Sequence, residues 1–382
     1  MQVTLSSAQT NETNEQRAVE ELVSKLDGGT PKVVFVYASR GRDHKAIRQA
    51  LRGRLPKETP IVGASTAGEL TNHGYAAGSI LIGALSGDID VGVGIGRGLT
   101  RDAVRAGASA LEQAASQLGV RPTALDPRKH VGVVIDDGFK MKKEELLLGV
   151  LENNQGLVIV GGGAADPDVQ SAVLYTDTDV IDDAALVVLF STNTPWAALR
   201  AHSYGPIGAT VRVTKVDSTA RRILELDDRP AALRYAELCG VAPEQLTFAN
   251  MPTWLRHSLA LKVGREYFLR AVWKADEDDS LVGLNMIPVD QQLEIVCSGD
   301  IVESTRRFLT EELPRRVPKP TAALFFDCQA RRLAATIGGK LDALGDVFKL
   351  APPCVGLNVH LETYCGFQIN STLTALAFGA GQ

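Results

Sequence analysis

The sequence predicts an α/β protein built as two packed α/β halves, with mixed sheets and internal strand–helix–strand repeats. Three observations carry that reading. Short β-branched runs such as Lys32–Ala38 (KVVFVYA) alternate with stretches of helical periodicity. One order of elements returns along the chain: buried strand, polar turn, helix, a second strand ending in glycine, a polar turn closed by an acid, and a third strand. Finally, 382 residues at 45% hydrophobic and 22% charged are ordinary globular composition, enough for two or three domains.

After a polar start, Asn14–Leu26 carries Val19, Leu22, Val23 and Leu26 at helical spacing, and Gly28-Gly29 stops it. The run Lys32–Ala38 is a buried strand, followed by the basic turn Arg40–His44. Lys45–Leu55 is a helix ended by Pro56. Ile61-Val62-Gly63 is a short strand running into Ala64–Gly68 and Glu69, and Ser79–Ser86 is the next strand. In Asp90–Gly96 the valines and isoleucine take one face and Gly92, Gly94 and Gly96 the other. A bare glycine face admits a helix, a backbone or a ligand at close range. The glycines are spaced by two, so they are no dinucleotide fingerprint. Arg101–Leu118 is an alanine-rich helix.

A second round follows: strand His130–Ile135, turn Asp136-Asp137-Gly138, helix Lys142–Leu151, strand Leu157–Val160 running into Gly161–Asp166, and strand Ala184–Ser191. From Pro195 the texture changes. Val211–Val216, Arg221–Leu226, Leu259–Val263, Glu266–Trp273 and Leu293–Val296 read as hairpin strands, Pro230–Cys239 and Asp300–Leu313 as helices, the latter closed by Pro314. Thr321–Phe326 opens a third round, with a helix to about Leu344, strand Val355–Glu362 and strand Ser371–Phe378. Gly63 precedes Glu69 by six residues and Gly356 precedes Glu362 by six, which makes rounds one and three structural equivalents.

Composition removes several function classes. Net charge is −5 with the signs interspersed, and aromatics are 5%, so a nucleic-acid surface is not expected. The five cysteines (Cys239, Cys297, Cys328, Cys354, Cys365) form no CxxC pair and suit free thiols in a reducing cytoplasm. The N-terminal stretch lacks a signal-peptide pattern, and no apolar run is long enough to cross a bilayer. A cytoplasmic protein without membrane insertion is expected. Walker A, HExxH and GxSxG motifs are absent from the sequence.

The residues that carry chemistry stand in the turns past buried strands, where ligand sites of α/β sheets gather. They are Arg40, Ser65, Thr66, Glu69, Arg331 and Glu362. Bases after the first strand and acids after the second suit a zwitterion such as an amino acid. Arg40 and Arg331 are the expected counter-ions of the two glutamates, because a buried unpaired charge is costly. Arg332 reads as a snorkelling side chain, and Asp136-Asp137 as a solvated loop. If haem were bound instead, His360, His73 and His202 are the candidate axial ligands.

Several segments together resemble the FIST family of bacterial sensory proteins. They are GASTAGEL at Gly63–Leu70, GGGAAD at Gly161–Asp166, the stretch Pro206–Tyr235, LFFDCQARR at Leu324–Arg332, and GLNVHLE at Gly356–Glu362. The resemblance implies a FIST N domain over 1–195 that senses the ligand and a FIST C domain over 196–382. It implies a small-ligand sensor, with an amino acid as ligand, feeding a separate signalling protein because no output segment is recognised in the sequence. One branch of the family binds haem, senses nitric oxide and signals to a histidine kinase, which makes haem the alternative cofactor to none. Where members read GFxTYGE, this chain has His360 at the tyrosine position and Leu361 in place of glycine. An enzyme with a site near Glu69 and Glu362 is the remaining alternative.

Overall fold

The computed structural model describes residues 2–27, 29–168 and 170–381; Gly28, expected in the first helix stop, lies outside them. Twelve strands form three units of one design. The first contains β1 (Val3–Thr10), β2 (Val33–Ser39), β3 (Ile61–Thr66) and β4 (Ile80–Gly87). The second contains β5 (Asp90–Arg97), β6 (His130–Asp137), β7 (Val158–Ala164) and β8 (Ala184–Ser191). The third contains β9 (Trp196–Ala201), β10 (Pro320–Cys328), β11 (Cys354–Tyr364) and β12 (Leu373–Gly379).

Spatial order is the same in each: β1–β4–β2–β3, β5–β8–β6–β7, and β9–β12–β10–β11. Within each unit the last two strands in space run parallel and the other pairs antiparallel. The register agrees as well. Ser39 faces Thr66, Asp137 faces Ala164, and Cys328 faces Val359 at the ends of the three parallel pairs. The expected equivalence of rounds one and three is therefore present, and the looser second round is an equal member.

β-Branched and aromatic residues leave both faces of these strands apolar, so both faces are covered. Inner-face residues such as Phe35, Val62, Val133, Val160, Phe326 and Leu357 meet in one shared core. The outer faces take separate helical covers. Helices Glu15–Ser24 and His44–Arg52 cover the first unit, and Leu99–Gln117 with Lys143–Leu151 the second. The third is covered around Phe308, Leu313 and Phe348. The second and third units join edge to edge through antiparallel β7 and β11. That continuous sheet crosses the expected boundary at 195, which lies between β8 and β9.

An eight-stranded antiparallel sheet spanning Tyr204–Ser298 interrupts the third unit between β9 and β10. It wraps helix Ala231–Cys239 and carries Tyr235 stacked on Trp254 at 6.0 Å.

Several elements differ from expectation. The polar start is strand β1: Thr4, Ser6, Ser7 and Gln9 stand among buried Val3, Leu5 and Ala8, and pairing with β4 fixes it. The helix begun at Ile301 does not stop at Pro314. A π-helical turn over Phe308–Glu312 passes the chain into helix Leu313–Arg316, where Pro314 sits in a first turn that needs no N–H from it. The helix after Arg332 breaks at Gly338-Gly339 into Gln329–Ile337 and Leu341–Val347. Glu266–Trp273 divides into Glu266–Arg270 and Val272–Ala275. Asp136 and Asp137 are buried at the end of β6 rather than solvated. Asp136 pairs with buried Lys143, and Asp137 accepts the Asp183 and Phe139 amides.

The glycine face of β5 admits helix Leu99–Gln117. A Cβ on Gly94 would lie 1.8 Å from the Ala110 carbonyl oxygen. Backbone on that side leaves little room to yield, and overpacking costs typically about 1–3 kcal/mol. Gly94→Ala is expected to lower unfolding free energy by about 3 kcal/mol in urea titration; an unchanged midpoint would contradict this packing.

Candidate functional site

Strands β3 and β7 end in turns that meet each other and the middle of β11 at one end of the shared core. The Ala165 amide donates to the Ser65 carbonyl, and the Ala67 and Asn358 amides bond across the first and third turns. Glu69–Thr71 leaves its turn as a short strand on β11. Sheet ends of this kind are where ligand sites of open α/β sheets lie.

Each predicted site residue is buried or held in this end of the molecule. Glu69 is fully buried and accepts hydrogen bonds from Ser39, Thr66 and Ser79 hydroxyls at 2.5–2.8 Å. Burial raises its pKa and the three hydroxyls oppose that rise. Glu362 holds the equivalent place, ten residues before Thr372 as Glu69 is ten before Ser79. Its carboxyl accepts from the Thr372 amide at 3.3 Å and hydroxyl at 3.0 Å. Burial pushes its pKa up to about 8 against the neighbouring Cys328 thiol and Thr372, and its Oε1 is buried without a hydrogen-bond partner. Ser65 accepts the Val173 amide at 3.0 Å.

The arginines are not the counter-ions of these glutamates. Arg40 binds Asp166 at 2.8 Å. Arg331 is 3% exposed and binds Asp327 at 2.7 Å and Thr305 at 2.8 Å. Asp327 also accepts from Tyr75 and Asn358. An aspartate close by in chain or space pairs with each guanidinium at less cost than a distant glutamate, and the glutamates take hydroxyl donors instead.

Above these groups lies a cavity of about 520 Å³ between the repeat turns and the inserted sheet. Its floor comes from all three rounds: Ala67 and Pro167 from the turns after β3 and β7, and Val359, His360 and Leu361 from β11 where its register against β7 shifts. Cys328 and the Asn370-Ser371 loop complete it. The opposite wall is Phe248, Met251, Trp254, Leu255, Val272, Trp273 and Leu284 from the inserted region, and Gln329, Arg332, Leu333 and Thr336 form a helical side. A mostly apolar hollow with a few polar groups is the usual form of a small-molecule site.

The residues lining the cavity are near neighbours of those read from sequence: Ala67 beside Thr66, Arg332 beside Arg331, Leu361 beside Glu362. Arg332 reaches the Ala67 carbonyl, and its Nε is buried without a partner. Trp273 Nε1 and Asn370 Nδ2 are in the same condition. Asn370 Oδ1 meanwhile accepts the Ala271 amide at 3.1 Å, tying the floor to the inserted sheet. Leu361 has φ of +65°, a left-handed backbone that favours the glycine found there in the related pattern.

Of the three histidines, His360 lines the cavity, with its ring 5.1 Å from Phe139; burial lowers its pKa to about 4, so it is neutral. His73 is exposed, and His202 accepts the Tyr204 amide away from the cavity floor. Among the described residues, no group of three or more His, Cys, Asp or Glu side chains is placed to hold a metal ion, and no helix is long and apolar enough to cross a membrane.

Fold and cavity together define an α/β protein of three sheet units whose strand-end hollow is closed by an inserted sheet. The chain belongs to the FIST family: the FIST N domain matches residues 32–229 and the FIST C domain residues 231–362. FIST domains are sensory domains of signal transduction that bind small ligands. No curated protein matches the chain. Among solved structures, cyanuric acid hydrolase from A. caulinodans aligns over 99% of both chains at 10% identity and a TM-score of 0.36. PurLQS from Thermotoga maritima aligns over 99% of this chain and 72% of that one at 12% identity and a TM-score of 0.21.

Glu362 makes stability depend on pH. Its folded pKa of about 8 lies above the ordinary 4.5, so the folded chain keeps a proton that the unfolded chain releases between those values. Stability contributed by this group is full below about 4.5, falls as pH rises through the window, and levels off above about 8. The largest slope one group can give is about 1.4 kcal/mol per pH unit. Glu362→Gln is expected to remove this part of the slope in denaturation between pH 5 and 8; parallel curves for the two proteins would contradict it.

Proposed function

We propose that this chain is a non-catalytic sensor that holds a small ligand in the cavity and signals through a separate protein, such as a histidine kinase. The observation that carries the reading is the composition of the cavity walls. One side is fixed to the three-unit core, the other belongs to the inserted sheet, and Asn370 touches both. A ligand filling the space favours the arrangement in which the two sides are apposed. A preference of roughly 1–3 kcal/mol is enough to shift a signalling equilibrium.

Catalysis finds no support in the cavity chemistry. The Cys328 thiol is held protonated by burial and by the neighbouring Glu362, so it is not the thiolate that nucleophilic catalysis needs. The amino-acid-like ligand suggested by the sequence would find a partner for its carboxylate in Arg332. Glu69 and Glu362 are engaged beneath the floor and do not line the cavity.

Haem is the second reading, favoured by one observation: a neutral imidazole, His360, on an aromatic-walled cavity. His360 is the residue that would hold haem, and the group would supply gas binding.

Native mass spectrometry with an absorption spectrum of the purified protein tests both. The sensor reading expects a non-covalent small molecule that is recovered unchanged, lost in Trp273→Ala, with no Soret band. A Soret band abolished by His360→Ala would replace it with haem. Conversion of the bound molecule would make the chain an enzyme.

A further inference from the structure

We infer that the ligand is an apolar, preferably aromatic, monocarboxylate that carries no ammonium group. The inference rests on the sensor reading and narrows its ligand.

The argument starts from the buried polar atoms left without partners. On the cavity lining these are Arg332 Nε, Trp273 Nε1 and Asn370 Nδ2. All three are N–H donors. Asn370 is 1% exposed, so its amide nitrogen has no recourse to bulk water, and its oxygen is already taken by the Ala271 amide. Unmade donors in a buried site are costly, and a ligand acceptor relieves that cost. Arg332 makes no ion pair among the described residues; its contact is with the neutral Ala67 carbonyl. The cavity therefore offers one uncompensated cation and three donors, which suits a planar, singly charged oxyanion.

The opposite requirement is unmet. An ammonium needs acceptors, and no carboxylate lines the cavity. Glu69 is occupied by three hydroxyls, and Glu362, which accepts from Thr372 through one oxygen and keeps the other without a partner, does not line the cavity. Asp166 is held by Arg40 and Asp327 by Arg331. The neutral His360 brings no negative charge to balance a cation. An amino acid would bury its ammonium beside Arg332 without compensation. A phosphate would bring more charge than one guanidinium balances. The remaining walls, with Trp254, Trp273, Leu284 and Val359, suit an aromatic or branched apolar body.

The test uses four probes of one shape: 3-phenylpropionate, L-phenylalanine, 3-phenylpropanol and phenethylamine, titrated calorimetrically into the full chain after bound molecules are removed. The expected order places 3-phenylpropionate tightest, at least tenfold ahead of L-phenylalanine, with phenethylamine weakest. A hydrogen bond to a charged group is worth roughly ten- to a hundredfold in affinity, so Arg332→Gln is expected to weaken 3-phenylpropionate by that factor and leave 3-phenylpropanol unchanged. Asn370→Asp keeps the acceptor for Ala271 and is expected to favour phenethylamine over 3-phenylpropionate. Tighter binding of L-phenylalanine or phenethylamine to the wild-type chain overturns the inference and leaves the sensor reading standing. Binding of none of the four also overturns it, and the sensor reading is then decided separately by the molecule recovered in native mass spectrometry. An equal loss of 3-phenylpropanol in Arg332→Gln shows a structural role for Arg332 and overturns the assignment.

Discussion

Three sheet units bury their inner faces in one apolar core, and most of the architecture follows from that burial. Phe35, Phe326, Val133 and their neighbours leave no room for polar chain inside it. The strand-end turns must therefore gather at the margins, where backbone groups of one turn satisfy those of the next. Ser65, Ala67, Ala165, Asn358 and Gly68 do this at the end that carries the cavity. The site is a consequence of how three repeats close on one another, and the inserted sheet supplies the wall that they lack.

The same burial dictates the chemistry beneath the cavity. Ionised groups there are supported locally: Arg331 by Asp327, Lys143 by Asp136, Arg40 by Asp166. Glu69 and Glu362 take hydroxyls and a thiol in place of cations, which suits carboxyls whose pKa burial has raised. Polar groups left incomplete, Arg332, Trp273 and Asn370, lie on the cavity itself. The unpartnered atoms on the lining are all N–H donors, and that is what marks the ligand side.

Much of the fold was legible in the sequence because β-branched runs such as Val33–Ala38 and Ala184–Phe190 need no tertiary context to be read as strands. The six-residue spacing from Gly63 to Glu69 and from Gly356 to Glu362 reflected a real equivalence, since both acids fold back on the strand that follows. Strand β1 was not legible, because its serines and threonines dilute the apolar pattern and only pairing with β4 fixes it as a strand. Thr66, Arg331 and Glu362 stand one residue from lining residues of the candidate cavity, while Arg40 lies away from it. Adjacent helical positions point about 100° apart, so Arg331 and Arg332 cannot share a role, and which one faces the cavity depends on how the helix sits on the core. The aromatic wall was illegible for another reason: Phe248, Trp254 and Trp273 reach the site only because the inserted sheet folds back over the turns.

The central claim is that a ligand binds between the core turns and the inserted sheet and draws the two together. Amide hydrogen exchange with and without saturating ligand measures this directly. The account predicts slowed exchange on both sides at once, in residues 67–71 and 359–371 of the core and 254–273 of the inserted sheet. Protection confined to one side, or appearing only at another surface, would contradict it.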